Sequence, residues 1–123
     1  YDYILLFEPT SPFRTIETVK ECYRILETKK NYSVFTVCKT NKFYGYVNNQ
    51  KFLPLIKGQK RRRQDRKSIF FECGVFYGLK CSEFLKKKKI IDETSYCFEI
   101  GELESIDINN NFDLKIVKSI FKE

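Results

Sequence analysis

A short turn near the N-terminus concentrates side chains that could bind or transform a ligand. Within seven residues the segment Glu8–Arg14 holds a carboxylate, two hydroxyls and a guanidinium, and Pro9 and Pro12 restrict its backbone. The apolar run Tyr3–Phe7 before it predicts a buried strand, and a helical pattern follows it. Because ligands of open α/β sheets bind at the carboxyl ends of strands, the turn is a candidate binding site. A proline-rich strand-to-helix turn capped by Thr15 explains the same residues equally well.

A second candidate is the basic segment 57–67, which holds seven Lys or Arg residues and one Asp. Clustered Lys and Arg neutralise nucleic-acid phosphates, and guanidinium groups also pair with the carboxylate of a small anionic ligand. A charge run is most often a solvated loop. The residues alone therefore leave nucleic-acid binding, small-anion binding and a solvated surface open.

Composition limits the chemistry available to the chain. Its 123 residues are 42% hydrophobic, with 12 Phe, 8 Tyr and no His. This predicts one globular domain spanning residues 1–123. The lack of histidine excludes Ser-His-Asp and Cys-His nucleophile systems and any His-containing metal site. No apolar run approaches the ~20 residues of a membrane span, so we expect no membrane partner.

Cysteine usage and the N-terminus bear on the compartment. The five Cys residues are well separated and include no CxxC pair, which favours a reduced, cytoplasmic protein and disfavours zinc. The first residues show no basic region or cleavage site, so we expect no signal peptide. Because the chain begins with Tyr1 and contains no Met, we interpret it as a piece of a longer protein.

The formal net charge of +7 is unevenly distributed. Residues 57–67 contribute +6 and residues 86–89 contribute +4, which leaves the remainder at −3. The sequence thus describes a mildly acidic domain with two basic patches rather than a uniformly basic protein.

The first half of the chain predicts a strand, a helix and a strand. Apolar residues recur at helical spacing after Thr15, at Ile16, Val19, Tyr23 and Leu26. Residues 33–38 are β-branched and aromatic, as in a strand. This order suggests a right-handed βαβ unit and an α/β fold class.

The rest of the chain is less regular. Residues 43–47 and 51–55 flank an Asn-rich turn and predict a β-hairpin, and we take about 41–68 as an insertion that leaves the main sheet. We further predict a strand over 69–79, a short helix over 81–91 with Ser82 as a possible cap, and a strand over 96–100. A last helix follows the run Asn109–Asn111, with an apolar face comprising Phe112, Ile116, Val117, Ile120 and Phe121.

The opening turn resembles a family signature. Leu5–Arg14, Leu-Leu-Phe-Glu-Pro-Thr-Ser-Pro-Phe-Arg, is similar to the Leu-Leu-Gln-Pro-Thr-Ser-Pro-Leu-Arg signature of the N-acylneuraminate cytidylyltransferases, the CMP-sialic acid synthetases. Glu8 stands where the signature has Gln. A carboxylate there would accept hydrogen bonds from sugar hydroxyls or an ammonium group, which implies an altered sugar preference.

A second block resembles the family's Arg-Gln followed by Asn-Gly-Ala-Ile-Tyr. Here it is Arg63-Gln64, followed by Cys73-Gly74-Val75-Phe76-Tyr77. The resemblance implies that Arg63 and Gln64 bind the carboxylate side of a sugar acid and that Tyr77 lines the sugar pocket. Gly74 would let backbone and ligand approach closely. Cys73 replaces the family's Asn and loses its amide.

Weaker matches complete the substrate site. Lys42 falls where the family carries a site lysine, although a solvated lysine at the start of a hairpin is the simpler interpretation. Ile90 and Ile91 fall where some members place two aromatics against the sugar, and core packing explains them equally well.

A third block, Ser105–Asn109 before the last helix, resembles the family's Asp-Ile-Asp. Alternation along a strand puts residues 107 and 109 on the same face, so Asp107 and Asn109 could hold one Mg²⁺. Asn109 brings an oxygen but no charge, and could instead cap the helix. We predict that Asp107 and Arg63 act in catalysis.

The resemblance implies a Rossmann-like nucleotidyltransferase domain of the glycosyltransferase-A-like, three-layer type, with 41–68 as a dimerisation insertion in a homodimer. A hydroxyl of a sialic acid-like nonulosonic acid would attack the α-phosphate of CTP, and pyrophosphate would leave. The family's Gly-rich CTP-binding loop lies upstream of the first block. We therefore expect an incomplete N-terminus, an exposed apolar sheet edge and poor turnover by residues 1–123 alone.

Two alternatives remain open at this point. One is a nucleic-acid-binding module that uses 57–67 with neighbouring aromatic residues, although the resemblance disfavours nucleic acid as a partner. The other is a non-catalytic remnant of the synthetase fold, consistent with Cys73 and Asn109 at positions where the family has other residues.

Overall fold

A computed structural model describes residues 1–122 of the chain. Within that range the elements are, in chain order, β1 (Tyr3–Leu6), α1 (Ile16–Thr28), β2 (Ser33–Thr40), β3 (Gly45–Asn48), β4 (Lys51–Pro54), a 3₁₀ turn (Arg63–Asp65), β5 (Ile69–Lys80), α2 (Cys81–Lys87), β6 (Tyr96–Ile100) and α3 (Asn111–Phe121). The strand predictions for 33–38, 69–79 and 96–100 are confirmed to within two residues.

The main sheet is mixed and has the strand order β1–β5–β2–β6. β5 is antiparallel to both β1 and β2, and β2 is parallel to β6. Strands β1, β2 and β6 therefore point the same way, and their carboxyl ends lie at one edge of the sheet. The predicted strand–helix–strand order is confirmed, but β5 separates the two parallel strands because its long antiparallel run pairs with both.

The predicted strand over Tyr3–Phe7 is confirmed as β1, Tyr3–Leu6, but the prediction that it is buried is wrong. Leu5, Leu6 and Phe7 are 36%, 40% and 44% exposed. The reason is that β1 lies at the edge of the sheet, and its outer side has no partner strand in residues 1–122. This is the exposed apolar edge that we expected from the sequence.

Helix α1 begins as predicted. The Thr15 hydroxyl accepts a hydrogen bond from the Thr18 amide at 3.2 Å, which caps the helix. The predicted apolar face is only partly correct, because Ile16 is 64% exposed. The side chains that are buried against the sheet are Thr18, Cys22, Ile25 and Leu26.

The main core lies between α1 and the sheet. Cys22, Ile25 and Leu26 pack against Val34 of β2 and Phe76 of β5. A Cβ at Gly78 would come within 2.9 Å of the Leu26 side chain, so Gly78 faces α1. Its neighbours along β5 consequently face the opposite side of the sheet.

The predicted hairpin is confirmed as a separate two-stranded sheet, β3–β4. Asn49 and Gln50 form its turn with φ of 51° and 61°, the positive values that a two-residue hairpin turn requires. Most of the hairpin is exposed, including Tyr46 at 70% and Val47 at 75%. It therefore extends from the domain as an arm.

The last two helices differ from prediction in detail. α2 ends at Lys87 rather than near residue 91, because Lys88 takes the left-handed conformation. Ser82 is not its cap, since it lies inside the helix. Asn110 caps α3 by accepting from the Asp113 amide. The predicted apolar face of α3 is buried only at Val117.

Among residues 1–122, every helix is too short or too polar to cross a membrane.

Candidate functional site

A break in the β2–β5 ladder shapes the candidate site. Phe35 pairs with Tyr77, but the next residue of β2, Thr36, pairs with Cys73. Residues 74–76 of β5 thus form a bulge with no ladder partner on β2 in the described structure. Because Glu72 pairs with Val37, Glu72 and Tyr77 lie opposite alternate residues of β2.

The bulge is what brings Glu72 and Tyr77 together. Five residues apart on a regular strand, they would face opposite sides of the sheet. With residues 74–76 looped out, both face the side opposite α1, and the Tyr77 hydroxyl donates a hydrogen bond to Glu72 Oε1. Burial first, and then this hydrogen bond and the nearby Glu72 and Glu8 charges, raise the pKa of Tyr77.

Two side chains hold the bulge from either side. The fully buried Thr36 hydroxyl donates to the Cys73 carbonyl at 2.8 Å and accepts from the Phe76 amide at 3.3 Å. Arg14 donates from Nε to the Val75 carbonyl at 2.7 Å. Its Nη2 donates to the carbonyls of Gly74 at 3.4 Å and Glu8 at 2.6 Å. The guanidinium of the opening turn therefore connects that turn to the bulge.

Gly74 and Glu8 are in direct contact. A Cβ at Gly74 would lie 1.9 Å from Glu8 Oε2, and the Glu8 amide donates to the Gly74 carbonyl at 3.4 Å. The sequence predicted close approach to Gly74 by a ligand, and the structure shows close approach by a carboxylate of the chain itself. Any side chain at residue 74 would displace Glu8.

A cavity of about 530 Å³ opens beside this contact, which we call the acidic cavity. Its apolar lining consists of Leu6, Phe7, Pro9, Ile90 and Ile91, and its polar lining consists of Glu8, Glu72 and Tyr77. The structure therefore brings Glu8 and Tyr77 together with the isoleucine pair, an arrangement that the resemblance implied. Sequence analysis missed Glu72, because its position depends on the bulge.

A second cavity of about 670 Å³ lies at the carboxyl ends of β2 and β6, and we call it the basic cavity. Lys39, Lys42 and Arg63 line it, together with Glu99 and Glu102. The structure thus divides the predicted substrate residues between two cavities. Lys42 and Arg63 share one, and Glu8 and Tyr77 share the other.

The predicted basic loop is organised around Arg66. Its guanidinium donates to the carbonyls of Lys60, Asn41 and Arg61 and lies 5.0 Å from the Phe43 ring. Arg66 is thereby engaged within the chain, while most other basic residues of 57–67 are exposed. Gln64 is also exposed, and in residues 1–122 it lies outside both cavities.

The prediction of a strand across Asp107 and Asn109 is wrong. Residues 106–109 form an irregular connection between β6 and α3, tied to the opening turn by the Ile108 amide, which donates to the Thr10 carbonyl at 2.9 Å. Asn109 is exposed, and its backbone amide donates to Asp113 Oδ2 at 3.0 Å. Alternation along a strand therefore does not relate the two side chains.

Asp107 has the environment of a possible metal ligand. Its Oδ1 atom is buried and has no hydrogen-bond partner within residues 1–122. A buried carboxylate oxygen without a partner is costly, and a cation would satisfy it. The described residues contain no group of three Cys, Asp or Glu side chains that could enclose an ion. Mg²⁺ fits this arrangement, since it often binds one carboxylate together with waters and substrate phosphates.

Glu104 supports the site although its sequence context gave no sign of it. Its carboxylate accepts from the Thr15 amide at 3.0 Å, the Thr15 hydroxyl at 3.1 Å and the Thr18 hydroxyl at 2.9 Å. A carboxylate at the N-terminus of α1 also interacts favourably with the helix dipole. Glu104 thus joins the loop after β6 to the opening turn.

The thiols of Cys73 and Cys22 are not activated. Burial first, and then the nearby Cys38, Glu72, Asp107 and Glu104 groups, raise the pKa of Cys73 to about 12. Burial likewise raises the pKa of Cys22 to about 12. Nucleophilic catalysis by these two thiols at neutral pH is therefore disfavoured.

Comparison with solved structures defines the class of fold. The mixed sheet, its flanking helices and the site at the carboxyl ends of the parallel strands form a nucleotidyltransferase-like Rossmann fold. One similar solved structure is that of 4-diphosphocytidyl-2C-methyl-D-erythritol synthase from Anaerococcus prevotii DSM 20548, with a TM-score of 0.62 and 12% sequence identity. The match covers 99% of this chain and 59% of that one. No family model and no curated protein matches the sequence.

The predicted α/β, nucleotidyltransferase-like fold is confirmed by this likeness. At 12% identity the likeness concerns the fold alone. The resemblance to the sialic acid synthetases therefore remains a prediction.

Proposed function

We propose that this chain is the larger part of a cytidylyltransferase, which transfers CMP from CTP to an acceptor hydroxyl. The observation that carries the proposal is the likeness in fold to a solved synthase whose name describes a diphosphocytidyl product. The motif resemblance described above, found independently in the residues, points to the same chemistry with a sialic acid-like nonulosonic acid as acceptor.

The proposed reaction is a single displacement. The acceptor oxygen forms a bond to the α-phosphorus of CTP, the bond from that phosphorus to the β-bridging oxygen breaks, and pyrophosphate leaves with the electron pair. The hydroxyl proton passes to solvent. Such a reaction requires positioning and charge neutralisation but no covalent enzyme intermediate, so the raised thiol pKa values are no obstacle.

Each cavity has a role in this proposal. Lys42 and Arg63 in the basic cavity bind anionic groups, namely phosphates or the carboxylate of the acceptor. The acidic cavity receives the rest of the acceptor, with Glu8 and Tyr77 as polar contacts. Gln64 adjoins Arg63 in the 3₁₀ turn and contributes to substrate binding at the rim of the basic cavity.

Mg²⁺ would be held by the unpartnered carboxylate of Asp107, with Asn109 in a subsidiary role. The ion would supply charge neutralisation of the phosphates. Homodimerisation through the β3–β4 arm and a cytoplasmic location complete the proposal.

The test is pyrophosphate release from CTP in the presence of Mg²⁺ and a panel of nonulosonic acids, using the native polypeptide that contains these residues. We expect CTP to be preferred over other nucleoside triphosphates and Asp107→Asn to lower the rate about 100-fold. Glu17→Gln removes an exposed carboxylate from α1 and serves as the matched control.

Two outcomes would contradict the proposal. One is no pyrophosphate release with any acceptor of the panel. The other is an Asp107→Asn variant that is as active as the wild type.

A further inference from the structure

We propose that the acidic cavity selects an acceptor that carries a positively charged nitrogen. The inference rests on the proposed function only in treating the cavity as the acceptor site. The binding chemistry itself follows from the residues that line it.

The charge of the lining is the first argument. Two carboxylates, Glu8 and Glu72, line a cavity that has no Lys or Arg in its described lining. The nearby guanidinium of Arg14 donates to the backbone carbonyls of Val75, Gly74 and Glu8 and lies 5.1 Å from the Phe7 ring. It is outside the cavity lining. A ligand carboxylate in this cavity would therefore meet two negative charges, whereas an ammonium group would offset them.

The position of the carboxylates is the second argument. The Glu8 carboxylate lies over Gly74, with its Oε2 atom 1.9 Å from the position of the missing Cβ. Glu72 accepts a hydrogen bond from the Tyr77 hydroxyl, and the bulge places Glu72 and Tyr77 on the same side of the sheet. Both carboxylates therefore line the cavity before a ligand binds, and Glu72 is oriented by its hydrogen bond, which lowers the entropic cost of binding.

The apolar wall is the third argument. Leu6, Pro9, Ile90 and Ile91 provide aliphatic surface around the carboxylates. The loop that carries Ile90 and Ile91 is braced by Asp92, which accepts from the Thr94 amide at 2.8 Å and pairs with Lys87 at 3.0 Å. Aliphatic walls next to carboxylates match an ammonium ion borne on carbon better than a hydrated metal ion or a neutral polyol.

The charge of the acidic cavity would also orient the acceptor. An ammonium group on the acceptor would be directed toward Glu8 and Glu72. The substrate class is then an amino-substituted acceptor whose nitrogen is not acylated. An N-acylated sugar acid would place a neutral amide between two carboxylates and lose that interaction.

The experiment compares two ligands of nearly equal shape, choline and its uncharged carbon analogue 3,3-dimethylbutan-1-ol. Binding to the 123-residue chain is followed by NMR at the methyl groups of Leu6, Ile90 and Ile91. We expect choline to shift these signals saturably and to bind about tenfold more tightly than the neutral analogue at low salt. Glu8→Gln and Glu72→Gln should each weaken choline binding and leave the neutral ligand unaffected.

The control is Glu93→Gln, which removes one exposed charge from the same loop outside the cavity lining. Equal affinity for the two ligands, no detectable choline binding, or an equal effect of Glu93→Gln would overturn the inference. Choline binding without any CTP turnover by the native polypeptide would refute the transferase and leave the cation site standing. Turnover of neutral acceptors without choline binding would refute the cation site and leave the transferase standing.

Discussion

Thr36 is the residue on which the geometry of the candidate site most directly depends. It is fully buried, and its hydroxyl donates to the Cys73 carbonyl next to the bulge and accepts from the Phe76 amide within it. Buried backbone groups without a partner destabilise the folded state, so this single hydroxyl stabilises the bulge. Arg14 likewise donates to the carbonyls of Gly74 and Val75 on the other side of the bulge.

We therefore expect Thr36→Val, which keeps the shape and removes the hydroxyl, to lower the free energy of unfolding by about 2–3 kcal/mol. Thr36→Ser keeps the hydroxyl and should cost about 1 kcal/mol through the lost methyl group. Urea unfolding followed by circular dichroism measures both values. A Val variant as stable as the Ser variant would show that the hydroxyl does not hold the bulge.

At the scale of elements, the β3–β4 arm is the part of the described structure that packing within the chain stabilises least. Two-stranded hairpins are marginally stable by themselves, and this one exposes apolar side chains on both strands, including Val47, Phe52 and Leu53. Its base is held by Arg66 and by the contact between Phe43 and Phe52. An exposed apolar ribbon of this kind gains most by burial against another surface.

The dimer that we propose can be tested at this arm. We expect light scattering to give twice the chain mass for the wild type, and Val47→Asp to shift the protein to the monomer because it places a charge in the interface. Leu85→Asp changes an equally apolar, 63% exposed residue on α2 and should leave the mass unchanged. A monomeric wild type, or a dimer that survives Val47→Asp, would refute this assignment of the interface.

At the scale of the whole molecule, the core contains buried thiols. Their burial on folding opposes their ionisation. Cys22 lies between α1 and the sheet, and Cys73 lies beside the bulge, both almost fully buried. Burial raises the pKa of each from about 9 to about 12. Between these values the unfolded chain loses protons that the folded chain keeps, so the free energy of unfolding falls as pH rises.

The corresponding prediction is a loss of stability that begins near pH 9 and continues toward pH 12, with full stability below pH 9. Urea midpoints under reducing conditions measure this slope. Cys73→Ala should make the slope shallower even though the cavity it leaves lowers stability at every pH. Cys97→Ala changes an exposed thiol and should leave the slope as it is in the wild type, and the same slope in all three proteins would contradict the prediction.

The sequence by itself determined the features that depend on neighbouring residues. The Thr15 cap, the Asn49–Gln50 turn, the strands β2, β5 and β6 and the α/β class were all predictable, because propensity, capping and alternation act over a few residues. The motif in the opening turn predicts a ligand site there, and that site stays a prediction.

Only the tertiary structure decided how the site is assembled. The bulge in β5 inverts the alternation that would have separated Glu72 from Tyr77, and it depends on contacts from Thr36 and Arg14, far away in sequence. The irregular path through Asp107 depends similarly on the opening turn. Such contacts follow from which surfaces fold together, and no local pattern in one sequence reports them.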